Sequence, residues 1–196
     1  LNAHRRLMFG NAELSKSLEK LSSGRKINKA ADDAAGMAIL QKMDAQIRGL
    51  NQASRNAMDA ISLIQTAEGA MAEINNILQR MRELAVQRAN ATNTNDDRTQ
   101  IQHEIDQLVE EIDRISGVTE FNTMTLLDGS FDVGNELVFQ VGANEGQSIE
   151  LSINALDSSE LGVQNIDVTT PTNAGSAITT IDDAIDKLLT ERSKKS

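Results

Sequence analysis

The sequence has no cysteine, no tryptophan and no tyrosine, and only one proline and four phenylalanines in 196 residues. The missing cysteines exclude thiolate catalysis, disulfides and Cys-ligated zinc together. The missing large aromatics leave alanine, leucine, isoleucine and methionine to build a core, which suits long packed helices better than a compact α/β enzyme. No apolar run approaches the length of about 18 residues needed to cross a bilayer. The opening "LNAHRRLMFGNAELSKS" lacks the apolar centre of a secretory signal. Because the sequence begins at Leu1, a fragment of a longer chain is expected.

The net charge is −10, unevenly placed. Residues 1–30 carry seven Lys/Arg against Glu13 and Glu19, a local +5 that leaves −15 for the remainder. Such a bipolar chain suits either a nucleic-acid-binding end or head-to-tail contact between copies. The basic segment has no interleaved aromatics and no nucleic-acid-binding module, which argues against the first.

Leu7, Leu14, Leu18 and Leu21 recur at helical spacing, so residues 3–21 are expected to form an amphipathic helix. The stretch "SSGRKINKAADD" then breaks the pattern at Gly24, and Asp32 or Asp33 offers an N-cap for the next helix. From about residue 33 to about 90 there is no proline. Met71, Ile74, Leu78, Met81 and Ala85 form a seam of alternating three- and four-residue steps. A helix of that length would run roughly 85 Å and needs its apolar stripe covered throughout. The polar "NATNTNDD" (90–97) reads as a turn and cap. A second helix over about 96–116 follows, with Ile101, Ile105, Leu108, Ile112 and Ile115 as its stripe, returning antiparallel along the first.

Beyond Gly117 the apolar period becomes two. "LVFQV" (137–141) and "SIELSI" (148–153) around "GANEGQ" predict a β-hairpin within a region of about 119–168. "TTPTNAGSA", with Pro171, reads as a linker, and Thr180–Asp183 as a capping-box start for a last helix over about 180–195 carrying Ile181, Ile185 and Leu188. The expected fold is mainly α with a small β-hairpin region: a long antiparallel helical rod or coiled-coil bundle. Residues 1–32 are expected to be a partial terminal helix and linker, and 33–196 a rod-like core domain.

Nothing points to catalysis. His4 and His103 stand alone on helices, and no zinc, Walker, nucleophile-elbow or EF-hand spacing is present. Asp96 and Asp97 lack the rest of a calcium loop and read as a cap. Glu110, Glu111 and Asp113 read as a solvated face. No catalytic residue, cofactor or metal is expected.

Four blocks, "LEKLSSGRKINKAADDAAGMAIL", "RGLNQASRNAMDAISLIQTAEGAMAEINNILQRMRELAVQRAN", "EIDRISGVTEFNTMTLLDG" and "LVFQVGAN", resemble bacterial flagellin in order and over nearly the whole chain. The resemblance implies a structural subunit of the flagellar filament, serving motility, exported by the flagellar type III apparatus with its chaperones or assembly factors, and polymerised outside the cell. Its implied partners are other copies of itself, with no nucleic acid and no membrane. It also implies that "SSG…DDAAG" is the spoke between an inner coiled coil and the outer core, with Leu7, Leu14, Leu18 and Leu21 on the inner helix. The family's chains start earlier and continue further, so incomplete terminal partners are expected to prevent this chain from forming filaments alone. The short loop around Pro171 suggests a subunit with little variable outer domain. Arg25 and Thr123 stand where Leu and Gly are more usual.

In many flagellins the surface matching "LQRMRELAVQ" is recognised by a vertebrate Toll-like receptor. The resemblance carries this role to Arg80, Leu84 and Glu104, with Gln79, Glu83 and Gln87 beside them. Subunit packing is the competing reason for that face. A hook–filament junction protein of the same export system is the alternative, and an immune or adhesion ligand a third reading; the "QTAEGAM…RELAVQ" and "EFN…LLDG" blocks favour flagellin.

Overall fold

The computed structural model describes residues 2–29, 31, 33–90 and 94–194. Its helices are α1 (Asn2–Ser23), α2 (Ala34–Ala89), α3 (Asn95–Val118), α4 (Ser158–Leu161) and α5 (Pro171–Ser193). The strands are β1 (Glu120–Phe121), β2 (Met124–Thr125), β3 (Leu137–Gln140) and β4 (Ser148–Leu151), forming two separate antiparallel hairpins. The architecture is therefore mainly α with a small β portion, as the periodicity requires.

The chain divides into two compact units. One comprises Leu1–Ala53 and Gly142–Glu145, the other Ser54–Val141 and Gly146–Ser196.

In the first unit, α1 ends at Gly24, whose φ of +66° suits a residue without Cβ. The joint is then pinned by side chains. Asn28 Nδ2 donates to Ser23 Oγ at 2.7 Å, Lys29 Nζ meets Glu19 Oε2 at 2.9 Å, and Arg25 Nη2 meets Asp44 Oδ2 at 2.9 Å. Asp33 caps α2, its Oδ1 accepting from Gly36 N at 2.9 Å; the other candidate cap, Asp32, lies outside the described residues. A Cβ at Gly49 would sit 3.0 Å from Ala143 Cβ, so the 142–145 loop rests on α2 where the helix has no side chain.

The second unit holds the main core. The α2 row Leu63, Ala67, Met71, Ile74, Leu78, Met81 and Ala85 is buried with Ile101, Ile105 and Ile112 of α3 and with Ile181, Ala184 and Leu188 of α5. Steps of three and four keep each row on one face. Every fully buried Leu or Ile contributes about 1.5–3 kcal/mol relative to exposure. Thr94 caps α3 in a reciprocal box: its hydroxyl accepts from Asp97 N at 3.3 Å, and Asp97 Oδ2 accepts from Thr94 N at 3.0 Å. Residues 91–93 of the expected turn lie outside the described residues.

The last helix begins nine residues before its expected start at Thr180. Thr170 is the N-cap, with its Oγ1 accepting from Asn173 N at 3.1 Å, and Pro171 opens the first turn. Proline fits there because that position has no intrahelical use for an N–H. Thr180, taken as a cap, is interior, and its hydroxyl donates to Ser176 O at 3.2 Å. The β3–β4 hairpin has the register Leu137↔Leu151 to Gln140↔Ser148. The β1–β2 ribbon was not anticipated. It turns on Asn122 and Thr123 at φ +49° and +67°, both positive as a type I′ turn demands.

Candidate functional site

Two helical faces are the candidates. On α1 no described residue is buried. Leu7, Leu14, Leu18 and Leu21 remain 67, 60, 56 and 80% exposed, a row with no partner among the described residues. Sequence reasoning missed a second such row: Ile39, Met43, Ile47 and Leu50 on α2 are each at least half exposed. Their four-, four- and three-residue spacing was the available signal.

The second face lies on α2 and α3. Arg80 reaches between the helices, donating from Nε (3.0 Å) and Nη2 (2.8 Å) to Glu104 Oε1 and from Nη1 (3.2 Å) to Glu83 Oε2. The hydrogen bonds to Glu104 and then Glu83 raise the guanidinium's pKa. Solvent screens these exposed pairs, so they orient Arg80 more than they stabilise the fold. Gln79, Glu83 and Gln87 are exposed beside it, and Glu104 is half-buried.

Leu84 does not join them. It is only 2% exposed and belongs to the core. The expectation of an apolar anchor beside Arg80 is corrected: four residues turn a helix slightly past one revolution, and Leu84 falls with Met81, Ala85 and Arg88 on the inward side.

Two polar clamps also escaped the sequence reading. Gln102 Nε2 donates to Ile166 O at 2.8 Å while its Oε1 accepts from Val168 N at 2.8 Å. Arg88 is fully buried and donates through Nη2 to Thr169 O. Burial and then the neighbouring Arg98 lower its pKa, while Asp167 opposes them. Together they hold the segment that leads into the α5 cap. His4 and His103 are exposed, and among the described residues no group of three or more His, Asp or Glu is placed to hold a metal.

Residues 1–132 match the family model described as the bacterial flagellin N-terminal helical region. The chain belongs to the flagellin family. A flagellin of Halalkalibacterium halodurans is 53% identical over 187 residues, covering 94% of this chain and 68% of that one. The crystal structure of Bacillus cereus flagellin superposes with a TM-score of 0.64 at 35% identity, covering 72% of this chain and 80% of that one. A putative flagellar hook-associated protein from Vibrio parahaemolyticus gives a TM-score of 0.70 over 85% of this chain and 88% of that one, but at 15% identity it shows a shared fold alone. The high identities run to flagellins, so the junction-protein alternative is not favoured. Flagellins are structural proteins that polymerise into the flagellar filament outside the cell, and this chain is such a filament subunit.

Proposed function

We propose that this flagellin assembles by letting neighbouring copies cover the apolar row that α1 leaves in solvent. The observation that carries the reading is the exposure of Leu7, Leu14, Leu18 and Leu21 on a helix with no buried described residue. Apolar area removed from water contributes about 25 cal/mol per Å², and an uncovered row of this kind is adhesive. On this reading residues 1–32 are inner helix and spoke, residues 33–196 the core domain, and the role is structural rather than catalytic. The chain reaches the exterior through the flagellar type III apparatus, with a chaperone shielding its apolar rows before assembly. The test is electron microscopy and sedimentation of the flagellin containing this sequence, with and without Leu14→Asp and Leu18→Asp. Loss of filaments in the double variant is expected; filaments of normal length and yield would reject the row as an assembly surface.

The face around Arg80 is proposed as the surface that the vertebrate Toll-like receptor recognises, through Arg80 and Glu104 with Gln79, Glu83 and Gln87. Supporting it, these side chains are accessible and Arg80 is held in one orientation by two carboxylates. Leu84 would act from beneath, by packing. A receptor-reporter assay should show weaker activation by Arg80→Ala; equal activation would remove Arg80 from the proposal.

A further inference from the structure

The end of α2 and the start of α3 bring two arginines together out of water. Arg88, in the last turn of α2, is fully buried, and only its Nη2 has a partner, the Thr169 carbonyl. Its Nε and Nη1 are buried with no hydrogen-bond partner among the described residues, and so is Nε of the half-buried Arg98. Neither guanidinium forms an ion pair with a carboxylate among the described residues. Asp167 is near enough to act on Arg88 through its charge, but its oxygens are engaged elsewhere: Oδ1 accepts from Thr169 N at 2.7 Å and Oδ2 from Asn173 Nδ2. After burial, the charge of Arg98 is the largest influence lowering the Arg88 pKa, so the two like charges sit close together. Folded proteins pair the charges they bury, because a desolvated ion without a counter-charge is strongly unfavourable. Buried N–H groups left over by the fold call for an acceptor from outside it.

We propose that Arg88 and Arg98 form a binding site for a small inorganic oxyanion of the phosphate class, where the end of α2, the start of α3 and the segment before α5 meet. The inference goes beyond filament assembly and involves neither α1 nor the face around Arg80. Three buried N–H-bearing nitrogens on two guanidiniums supply the donors. A tetrahedral oxyanion has several acceptor oxygens and a full negative charge, so it serves both needs of the pair at once. Arg98 is half-buried and Asp167 and Thr169 are exposed, so the pair lies close beneath the surface and an ion reaches it without crossing the apolar core. The bound ion also has a structural effect. Arg88 holds Thr169 O, next to the Thr170 cap of α5, so an anion that fixes Arg88 steadies the start of the last helix.

The test is equilibrium dialysis of the full chain against radiolabelled inorganic phosphate, at a protein concentration where sedimentation shows it monomeric. Saturable binding of one phosphate per chain is expected. Phosphate at about a hundred times the measured dissociation constant should raise Tm by about 5–10 °C over chloride of equal ionic strength. Sulfate should compete for the site and chloride should not. Arg98→Gln should weaken binding at least tenfold. Arg88→Met should abolish it, with Tm in chloride unchanged or higher, because an apolar side chain of similar length replaces a buried charge and water reaches the exposed Thr169. Arg82→Gln, at an exposed arginine paired with Asp182, should bind phosphate as the wild type does. Should Arg88→Met fail to fold, Arg98→Gln decides alone, since no hydrogen bond or ion pair of its side chain is lost among the described residues. No saturable binding to the wild type, or undiminished binding to Arg98→Gln, would overturn the proposal. So would an equal loss in Arg82→Gln, which marks diffuse surface attraction. A Tm rise shared by every variant is the general effect of an excluded salt, an adventitious ion only, and also overturns it. Filament formation plays no part in the assay, so its outcome leaves the assembly reading untouched.

Discussion

Replacing Thr123 with glycine should make this protein more stable, although the substitution removes a side chain. Thr123 sits at φ +67° in the two-residue turn that joins β1 to β2, with Phe121 paired to Met124 across it. An L-residue in this left-handed region costs roughly 1–2 kcal/mol because Cβ crowds the following carbonyl, and a β-branched residue falls at the upper end. Glycine removes that cost but adds roughly 0.5–1 kcal/mol of unfolded-chain entropy. The balance is a gain of about 0.5–1 kcal/mol. For a domain of about 150–250 residues that raises Tm by about 1–4 °C. Differential scanning calorimetry and urea titration should be run at one fixed protein concentration, since association also shifts Tm. Asn122→Gly is the control, at φ +49°; asparagine tolerates this region, so its gain should be smaller. A lower midpoint for Thr123→Gly, or a larger gain from Asn122→Gly, would refute the strain argument.

Further outcomes follow from the caps and the core. Ile105→Ala, at a fully buried position in α3, should cost about 2–5 kcal/mol, measurable by urea denaturation. Hydrogen bonds from the Thr94 hydroxyl and then the Thr94 amide lower the Asp97 pKa. Its contribution is therefore complete above the unfolded carboxyl value near pH 4 and is lost as pH falls through the lower folded value. Asp97→Asn should flatten the acid side of a stability–pH curve, and an unchanged curve would count against the box. Asp33→Ala should cost about 1 kcal/mol of local stability at the start of α2, read as faster hydrogen exchange at Gly36 and Met37.

The helical rows were legible because burial imposes a period that survives in the letters. Met71 to Ala85, Ile101 to Ile112, and Ile181 with Leu188 all lie where their spacing put them. The β3–β4 hairpin was legible for the same reason at period two. The start of α5 was not: Pro171 marks a helix start or a helix stop, and only the Thr170 hydroxyl on Asn173 N decides which. The β1–β2 turn escaped because Asn-Thr is not the Asn-Gly signature of a type I′ turn. Leu84 was misplaced because a spacing of four puts two residues near one another without saying which lies on the inward edge. For the candidate faces, composition and spacing identified the α1 leucines, whereas the Arg80–Glu104 bond joins residues 24 apart in sequence, and no local pattern encodes that.

The two bonds of Gln102 have a mechanical consequence. One primary amide offers Ile166 a donor and Val168 an acceptor, as a neighbouring strand would. The approach to α5 is thereby stitched to the flank of α3 without a sheet. A carboxylate at position 102 would have nothing to give the Ile166 carbonyl, so it would undo that stitch and repel that oxygen while still accepting from Val168 N. The four residues between Ile166 and Pro171 are consequently too short a tether for α5 to slide along α3. The two helices are thereby coupled, and the segment that leads into the last helix is held by a side chain more than sixty residues upstream.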